Sequence, residues 1–161
     1  MVNGNGKFIQ AFFIIAFWIC IAEQVQSQAI SARPANTGET IVEHLMQERP
    51  LLMDLLTTAG LIPVLSNNTD YTLLAPPEDK LQEIKSESPE RLRLILANHI
   101  LKGKYLEKDF KDGATVETLA GSNIRICRKK DYTLMNGVKL QNSGVSLGNG
   151  SVVSLGNRIA L

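Results

Sequence analysis

The sequence predicts a single α+β domain, with helices in its first part and short antiparallel strands in its second. Apolar residues recur at helical spacing between residues 41 and 100, whereas after Gly103 they recur at every second position. The later apolar pieces are short and are separated by Gly, Asn and Asp turns. Because helices and strands are grouped along the chain, separate helical and sheet layers are favoured over an alternating parallel sheet.

The first two helices are marked by their starting residues. Thr40 is followed three residues later by Glu43, so the threonine can accept from the first helical N–H groups while the glutamate reaches back. Pro50 stands at the first position of a second helix, which we expect to end at Gly60.

A third helix start is the serine–proline pair at residues 88–89. Behind it, one helical face is defined by Leu92, Ile95, Leu96, His99 and Ile100. We therefore predict an amphipathic helix that continues over residues 92–103, with His99 facing the core. A neutral imidazole on an apolar face is typical of a core residue that donates one hydrogen bond to a backbone carbonyl, and less typical of a ligand.

Strands are predicted where short apolar runs lie between turn residues. Residues 70–75 form an apolar strand that Pro76 and Pro77 end, since neither proline can donate to a ladder. Later pieces lie at residues 116–119, 124–126, 132–135, 138–140, 145–147, 152–155 and 159–161. Asn136-Gly137 is the clearest hairpin turn, because both residues tolerate a positive φ.

The N-terminus has the layout of a secretory signal peptide. Lys7 precedes an apolar run over residues 8–22, and small residues follow a short polar segment. We predict a signal peptide over residues 1–28, a linker over residues 29–39 and one domain over residues 40–161. Gln10 interrupts the apolar run, so the uninterrupted apolar stretch, residues 11–22, has 12 residues. A helix that spans a membrane needs about 20. No transmembrane span is therefore expected after cleavage, although an uncleaved anchor is the alternative.

Charge and cysteine content narrow the class of protein. The formal net charge is +1, which indicates no nucleic-acid partner. If Cys20 leaves with the signal peptide, Cys127 remains alone and no internal disulfide can form. An exported domain of this kind must be held by packing, and we expect Cys127 to be a half-buried, inert thiol, with an intermolecular pairing as the alternative.

Groups that assemble into catalytic sites are sparse. The chain has only two histidines, His44 and His99. There is no Gly-x-Ser-x-Gly elbow, no Gly-rich phosphate loop after a strand, and no His/Cys cluster with metal spacing. We therefore predict a protein that is not an enzyme and that uses no cofactor and no metal.

Residues 70–81 read Asp-Tyr-Thr-Leu-Leu-Ala-Pro-Pro-Glu-Asp-Lys-Leu, which is a strand, two prolines and an acidic helix start. The order continues with the helix predicted at 92–103, Thr-Leu-Ala-Gly at 118–121, Met-Asn-Gly-Val at 135–138 and Asn-Gly-Ser-Val-Val-Ser-Leu at 149–155. Together these pieces resemble a fasciclin (FAS1) domain. The family's first box, Thr-Val-Phe-Ala-Pro, matches from Thr72 in register, and its last box, Asn-Gly-Val-Ile-His-Val-Ile-Asp, is matched in part.

The resemblance implies a FAS1-like fold, in which N-terminal helices pack on a wedge of short antiparallel strands. It gives structural roles to the motif residues Ala75, Pro76, His99, Asn149 and Gly150. In the family, the helix that corresponds to residues 92–103 carries a Tyr-His pair, and some members are credited with adhesion through the region around that pair. His99 matches the histidine, and Asn98 replaces the tyrosine. The candidate partner-binding residues are accordingly Asn98, Lys102, Lys104 and Tyr105.

Two surface features remain. The run Arg128-Lys129-Lys130, with Arg125 on the same strand, could bind a polyanion, although such a run is more often a solvated hairpin tip. N-glycosylation sequons begin at Asn67 and Asn149, and the first is the better acceptor because it lies in a turn ahead of a strand.

These features predict a secreted or cell-surface FAS1 protein that acts in cell adhesion or in recognition at the extracellular matrix or envelope. Its partner would be a surface or matrix protein or a glycan, and the protein would be a monomer. It would be extracellular or held in the cell envelope, which means the periplasm or surface in a bacterium. Two alternatives stay open: an envelope protein that binds a polysaccharide or small ligand, and an envelope enzyme with an unrecognised site.

Overall fold

A computed structural model describes residues 38–160 of the chain. The predicted signal peptide and most of the predicted linker lie outside the described residues. Among residues 38–160, no helix combines the length and the hydropathy that crossing a bilayer requires.

Within these residues, the helices lie mostly in the first half of the chain. They are α1 (Ile41–Glu48), α2 (Pro50–Thr58), α3 (Ile62–Leu65), α4 (Glu78–Ile84) and α5 (Pro89–Ala97). The capping box predicted at the start of α1 is confirmed, since Thr40 Oγ1 accepts from the Glu43 N–H at 3.2 Å and Glu43 Oε2 accepts from the Thr40 N–H at 2.9 Å.

The strands form two four-stranded sheets. They are β1 (Tyr71–Ala75), β2 (Ile100–Lys102), β3 (Thr115–Glu117), β4 (Asn123–Arg128), β5 (Thr133–Met135), β6 (Val138–Lys139), β7 (Val145–Leu147) and β8 (Gly150–Ser154). The first sheet has the order β2-β1-β8-β7, and the second has the order β3-β4-β5-β6. The predicted α+β fold is confirmed, with mostly antiparallel pairing.

One pairing is parallel, which the sequence pattern did not indicate. Strand β8 lies beside β1 in register, with Tyr71 opposite Gly150 and Ala75 opposite Ser154. The two strands are the centre of the first sheet, and almost every side chain on them is buried. Continuous burial of this kind is typical of strands that are covered on both faces.

The helix predicted over residues 92–103 is shorter than expected. It ends at Ala97, and residues Ile100–Lys102 form β2 instead. Ile100 and Leu101 pair with Leu73 and Thr72 of β1. A short apolar run such as Ile100-Leu101 fits a helix and a buried strand equally well, so tertiary pairing decides the conformation here.

Two apolar cores lie on opposite faces of the first sheet. Leu73, Ala75 and Val152 pack with the helices, whereas Leu74 and Val153 pack with the second sheet. The first sheet is thus the middle layer between the helices and the second sheet. Neighbouring residues on β1 alternate between the two cores, as the pleat of a strand requires.

The hairpin turn predicted at Asn136-Gly137 joins β5 to β6. Both residues have positive φ, 46° for Asn136 and 84° for Gly137. The Asn136 Oδ1 also accepts from the Arg125 N–H at 2.8 Å, so the turn is tied to β4.

Candidate functional site

His99 is fully buried in the link between α5 and β2. Its Nδ1 donates to the Ile95 carbonyl at 2.8 Å, and its Nε2 accepts from the Ile159 N–H at 3.0 Å. Burial lowers the pKa of His99 from 6.5 to about 4, because the charged ring would lose its hydration. The imidazole is therefore neutral at physiological pH, and both its nitrogens bind backbone groups.

Asn98 ends α5 and holds the helix to a turn near β3. Its Nδ2 donates to the Leu94 carbonyl at 3.0 Å, while its Oδ1 accepts from the hydroxyl of Ser122. The Thr118 hydroxyl lies 3.5 Å from the same Oδ1. Asn98 is half-buried, and both polar atoms of its side-chain amide bind groups within the domain.

Lys102 and Lys104 both reach the surface at the end of β2. Lys102 is exposed and forms an ion pair with Glu117 of β3. Lys104 is exposed as well, and its ammonium donates to the Leu147 carbonyl at the end of β7. Of the four candidate partner-binding residues, these two present cations to solvent.

Tyr105 is half-buried and belongs to the second core. Its ring centroid lies 5.7 Å from that of Phe110, and its N–H donates to Thr72 Oγ1 at 2.8 Å. Because the ring packs against the second core, it is less accessible to a partner than its sequence position suggested. Truncating it would remove core packing.

Asn149 joins two helices to the turn before β8. Its Oδ1 accepts from the Ile41 N–H at the start of α1 at 2.9 Å, and its Nδ2 donates to the Leu65 carbonyl at the end of α3 at 2.7 Å. Gly150 follows with φ 153°, and a Cβ there would lie 2.0 Å from the Tyr71 carbonyl oxygen. This close approach requires glycine at position 150.

The contacts of Asn67 and Asn149 distinguish the two N-glycosylation sequons. Asn67 is exposed, and its Oδ1 accepts from the Thr69 N–H at 3.0 Å, so its amide nitrogen faces solvent in a turn. The amide nitrogen of Asn149, to which a glycan would be attached, is engaged with Leu65. Asn67 is therefore the better placed acceptor in the folded domain.

A groove with a cavity volume of about 510 Å³ lies beside the β4–β5 hairpin. It is lined by three separate segments, residues 106–108, 128–133 and 143–144, and we call it the basic groove. Four of its lining side chains are cationic, namely Lys108, Arg128, Lys129 and Lys130, and two are carboxylates, Glu107 and Asp131.

The four cations of the basic groove form no ion pair with a carboxylate of residues 38–160. Arg128 is held by its backbone N–H, which donates to Asp112 Oδ1 at 2.8 Å, and by its guanidinium, which donates to the Phe110 carbonyl at 3.2 Å. Glu107 accepts from the Thr133 hydroxyl at 3.2 Å. The groove therefore has more cationic than anionic side chains, and Arg128 and Glu107 are held in its walls by hydrogen bonds.

Arg125, which the sequence groups with the three basic residues, does not line the groove. It lies three positions from Arg128 on the same strand, and an odd separation on a strand places side chains on opposite faces. Lys108 and the Ser143-Gly144 wall were missed by sequence reasoning. They join the groove through tertiary contacts such as the Glu107 N–H bond to the Ser143 carbonyl at 3.1 Å, and no local pattern announces such a contact.

Reactive groups are not brought together in the described part of the chain. Residues 38–160 contain no group of three or more His, Cys, Asp or Glu side chains that could hold a metal ion. His44 Nδ1 lies 3.5 Å from Glu39 Oε1 at the surface of α1. Cys127 is a free, half-buried thiol on β4.

Helices over a mixed central sheet, backed by an antiparallel sheet, are the architecture of a FAS1 domain. The structure is similar to that of a FAS1 domain pair from the insect cell adhesion molecule fasciclin I, with a TM-score of 0.61. The two are 15% identical, and the match covers 76% of this chain and 51% of the other, so this likeness concerns the fold. The chain belongs to the Fasciclin domain family, whose sequence profile matches residues 48–157.

Several curated relatives share this domain. Human periostin is 30% identical over 92 residues, which cover 56% of this chain and 11% of periostin. Transforming growth factor-beta-induced protein ig-h3 is 33% identical over 89 residues in Sus scrofa and 32% identical over 94 residues in Oryctolagus cuniculus. These matches cover 51% and 58% of this chain and 13% of each ig-h3 protein. The chain thus spans little more than a tenth of the length of these relatives.

Proposed function

We propose that this protein is a secreted or cell-surface FAS1 module that acts in cell adhesion or in matrix or envelope recognition. The observation that carries the proposal is the family match over residues 48–157. It is supported by the similar fold of a domain pair from a molecule named for cell adhesion. The partner would be a surface or matrix protein or a glycan, bound by a monomer.

Recognition without catalysis is favoured by how the polar side chains are used. His99 has both ring nitrogens bonded to backbone groups and a pKa lowered to about 4 by burial, so it has no free lone pair for a general base. Among residues 38–160, His, Cys, Asp and Glu side chains form no group of three or more that could hold a metal ion. Exposed charged side chains can be complementary to a partner without such a cluster.

The partner-binding face that we propose is centred on Lys102 and Lys104. Both are exposed at the end of β2, whereas Asn98 and Tyr105 contribute to it by holding the backbone beneath. Binding through a few surface charges is weak in a single copy, and it gains strength when many copies act together on a surface.

Adhesion of coated beads tests this function. Beads that carry the purified full-length protein should adhere to cells or matrix from the source organism better than albumin-coated beads do. Lys102→Ala with Lys104→Ala should reduce the number of attached beads while leaving the melting midpoint within a few degrees. The matched control is Lys85→Ala with Arg91→Ala, which removes two exposed cations from the α4–α5 region and should have no effect.

Two outcomes would overturn the proposed function. One is adhesion no better than that of albumin-coated beads. The other is turnover of an envelope polymer by the purified protein, which would favour an enzyme.

Export is part of the proposal. The signal-peptide pattern over residues 1–28 supports a mature protein that begins between Gln28 and Ile30, followed by a linker up to residue 39 and the domain over residues 40–161. Mass spectrometry of the protein recovered from the medium or envelope should find this new N-terminus. A mature product that retains Lys7 would contradict cleavage.

A further inference from the structure

The basic groove has properties of an anion-binding site that the face around Lys102 and Lys104 lacks. Lys102 is neutralised by Glu117, and Lys104 is engaged with the Leu147 carbonyl. In the groove, Lys108, Lys129 and Lys130 have no carboxylate partner within the described residues. Their charges are therefore available to a ligand, and their fields add together in one concavity.

Arg128 adds a directional donor to these point charges. Its guanidinium is fixed by the bond to the Phe110 carbonyl at 3.2 Å, which leaves further N–H groups of the fork for a ligand. A planar fork suits two oxygens of one sulfate or carboxylate group, whereas a lysine ammonium provides charge without such geometry. A mixture of one arginine and three lysines thus fits a ligand with several separate anionic groups.

Tyr132 supplies an apolar wall. It is 39% exposed on the groove, and the Lys139 ammonium lies 5.3 Å from its ring centroid. The lysine is held over the ring by cation–π attraction. The groove therefore combines an amphipathic ring with charges at its sides, which suits a ligand that has both apolar C–H faces and anionic substituents.

We propose that the basic groove binds a sulfated polysaccharide. This inference rests on the proposed function, and it names the ligand class and the site through which part of the recognition occurs. The ligand's sulfate groups lie against Arg128, Lys129, Lys130 and Lys108, and its sugar rings lie along Tyr132. Glu107 and Asp131 also line the groove, and their carboxylates repel any anionic group that is placed against them.

A nucleic acid fits these observations less well. Domains that bind nucleic acid are typically strongly basic, with pI values above about 9. This chain has a net charge of +1 and a sequence pI of about 7.8, so it lacks the overall positive charge that is typical of such domains. One face of Tyr132 is also covered by Lys139, which reduces its use as a stacking platform for bases.

Retention on a heparin resin tests the site with the purified full-length protein. We expect retention at physiological salt and elution as salt increases, because exposed charges are screened. Lys129→Glu with Lys130→Glu should weaken the affinity for a heparin oligosaccharide by at least about tenfold. Lys85→Glu with Arg91→Glu makes the same change in net charge on exposed residues outside the groove and should change the affinity by less than about twofold.

Three comparisons identify the ligand chemistry. Desulfated heparin should bind at least about tenfold more weakly than heparin, since it retains only the carboxylates. Single-stranded DNA and poly-glutamate of the same charge should also bind more weakly. Equal binding of these polyanions would show that the groove is a general cation exchanger and would overturn the proposal. Equal weakening by the two double variants would also overturn it, because the charge of the whole protein would then be responsible.

Failure here is distinguishable from failure of the proposed function. Beads that adhere to cells while the protein ignores heparin would leave the adhesion proposal intact and remove the glycan site. Beads that do not adhere would remove the adhesion proposal whatever the resin shows. Adhesion that is lost with Lys129→Glu and Lys130→Glu, or after the cell surface is desulfated enzymatically, would support both.

Discussion

The segment that follows α5 and the far end of the β4–β5 hairpin are both rich in polar side chains, yet they use them in opposite ways. After α5, Asn98 and His99 make their hydrogen bonds to groups of the same domain. At the hairpin, Lys129 and Lys130 extend from a turn closed by the bond of the Lys129 N–H to the Tyr132 carbonyl at 2.8 Å, and their charged ends have no carboxylate partner within residues 38–160.

The difference separates polar residues that hold the fold from those that can meet a partner. A buried polar group that loses its partner leaves a donor or acceptor unsatisfied, so its replacement should lower stability. A solvated cation has no such role, and its replacement should change binding alone. Substitutions in the two regions should therefore have opposite effects on stability and on recognition.

The largest expected effect is that of His99→Asp. The change buries a carboxylate and leaves either the Ile95 carbonyl or the Ile159 N–H without its partner. We expect the free energy of unfolding to fall by about 4 kcal/mol or more, as measured by urea denaturation. A variant that melts like the original protein but fails to adhere would make His99 a surface contact and would break the comparison.

The pH dependence of stability is the next effect in size. Folding lowers the pKa of His99 from 6.5 to about 4, so between these values the unfolded chain binds a proton that the folded protein does not. The free energy of unfolding should therefore decrease as the pH falls from 7 towards 4, by up to about 3 kcal/mol. Above pH 7 His99 should have no influence on it.

Removing the imidazole isolates this titration. His99→Gln should flatten the slope of stability against pH between 7 and 4.5, whatever its effect on stability at pH 7. An unchanged slope in His99→Gln would assign the titration to another group.

Asn149→Ala should have an intermediate effect. The substitution leaves the Ile41 N–H and the Leu65 carbonyl without their partner, and both groups lie at helix ends beneath the β7–β8 turn. We expect a loss of about 2 kcal/mol in the free energy of unfolding. Asn67→Ala, in an exposed turn, is the control and should cost less than about 0.5 kcal/mol.

The smallest effect on stability is expected in the basic groove. Lys129→Glu with Lys130→Glu should change the free energy of unfolding by less than about 0.5 kcal/mol, because solvated charges contribute little to folding. Thermal melting of the double variant tests this directly. A loss comparable to that of Asn149→Ala would mean that these cations support the fold, and the two regions would then not differ in kind.

Most of the fold was predictable because local signals and tertiary structure agree. Thr40 caps α1, Pro50 opens α2, and Asn136-Gly137 turns between β5 and β6, as their chemistry indicates. The periodicity of apolar residues was misleading after α5. Ile100 continues the helical spacing of α5, but its pairing with Leu73 makes it part of a strand. The parallel pairing of β8 with β1 was equally invisible, since nothing local records a partner so far away in sequence.

The candidate surface was less predictable than the fold. A sequence shows which residues are basic, and so Arg128, Lys129 and Lys130 were identified. It does not show which side of a strand meets a distant loop, so Arg125 was grouped with them and Lys108 was overlooked. Sequence spacing also gave no sign that Tyr105 packs on Phe110 or that Lys102 meets Glu117.

The parallel pairing of β1 with β8 has a consequence for the order in which the chain can fold. Tyr71 pairs with Gly150, about 80 residues later in the sequence, so the middle layer of the domain closes only after the segments between β1 and β8 have been made. Non-local pairings of this kind slow folding, since a long loop must close before its contacts stabilise it. If the protein is exported as we propose, this delay is useful, because a segment that has not completed its central sheet remains unfolded enough to pass through a membrane pore. Pairing of β8 with β1 would then complete the domain after translocation.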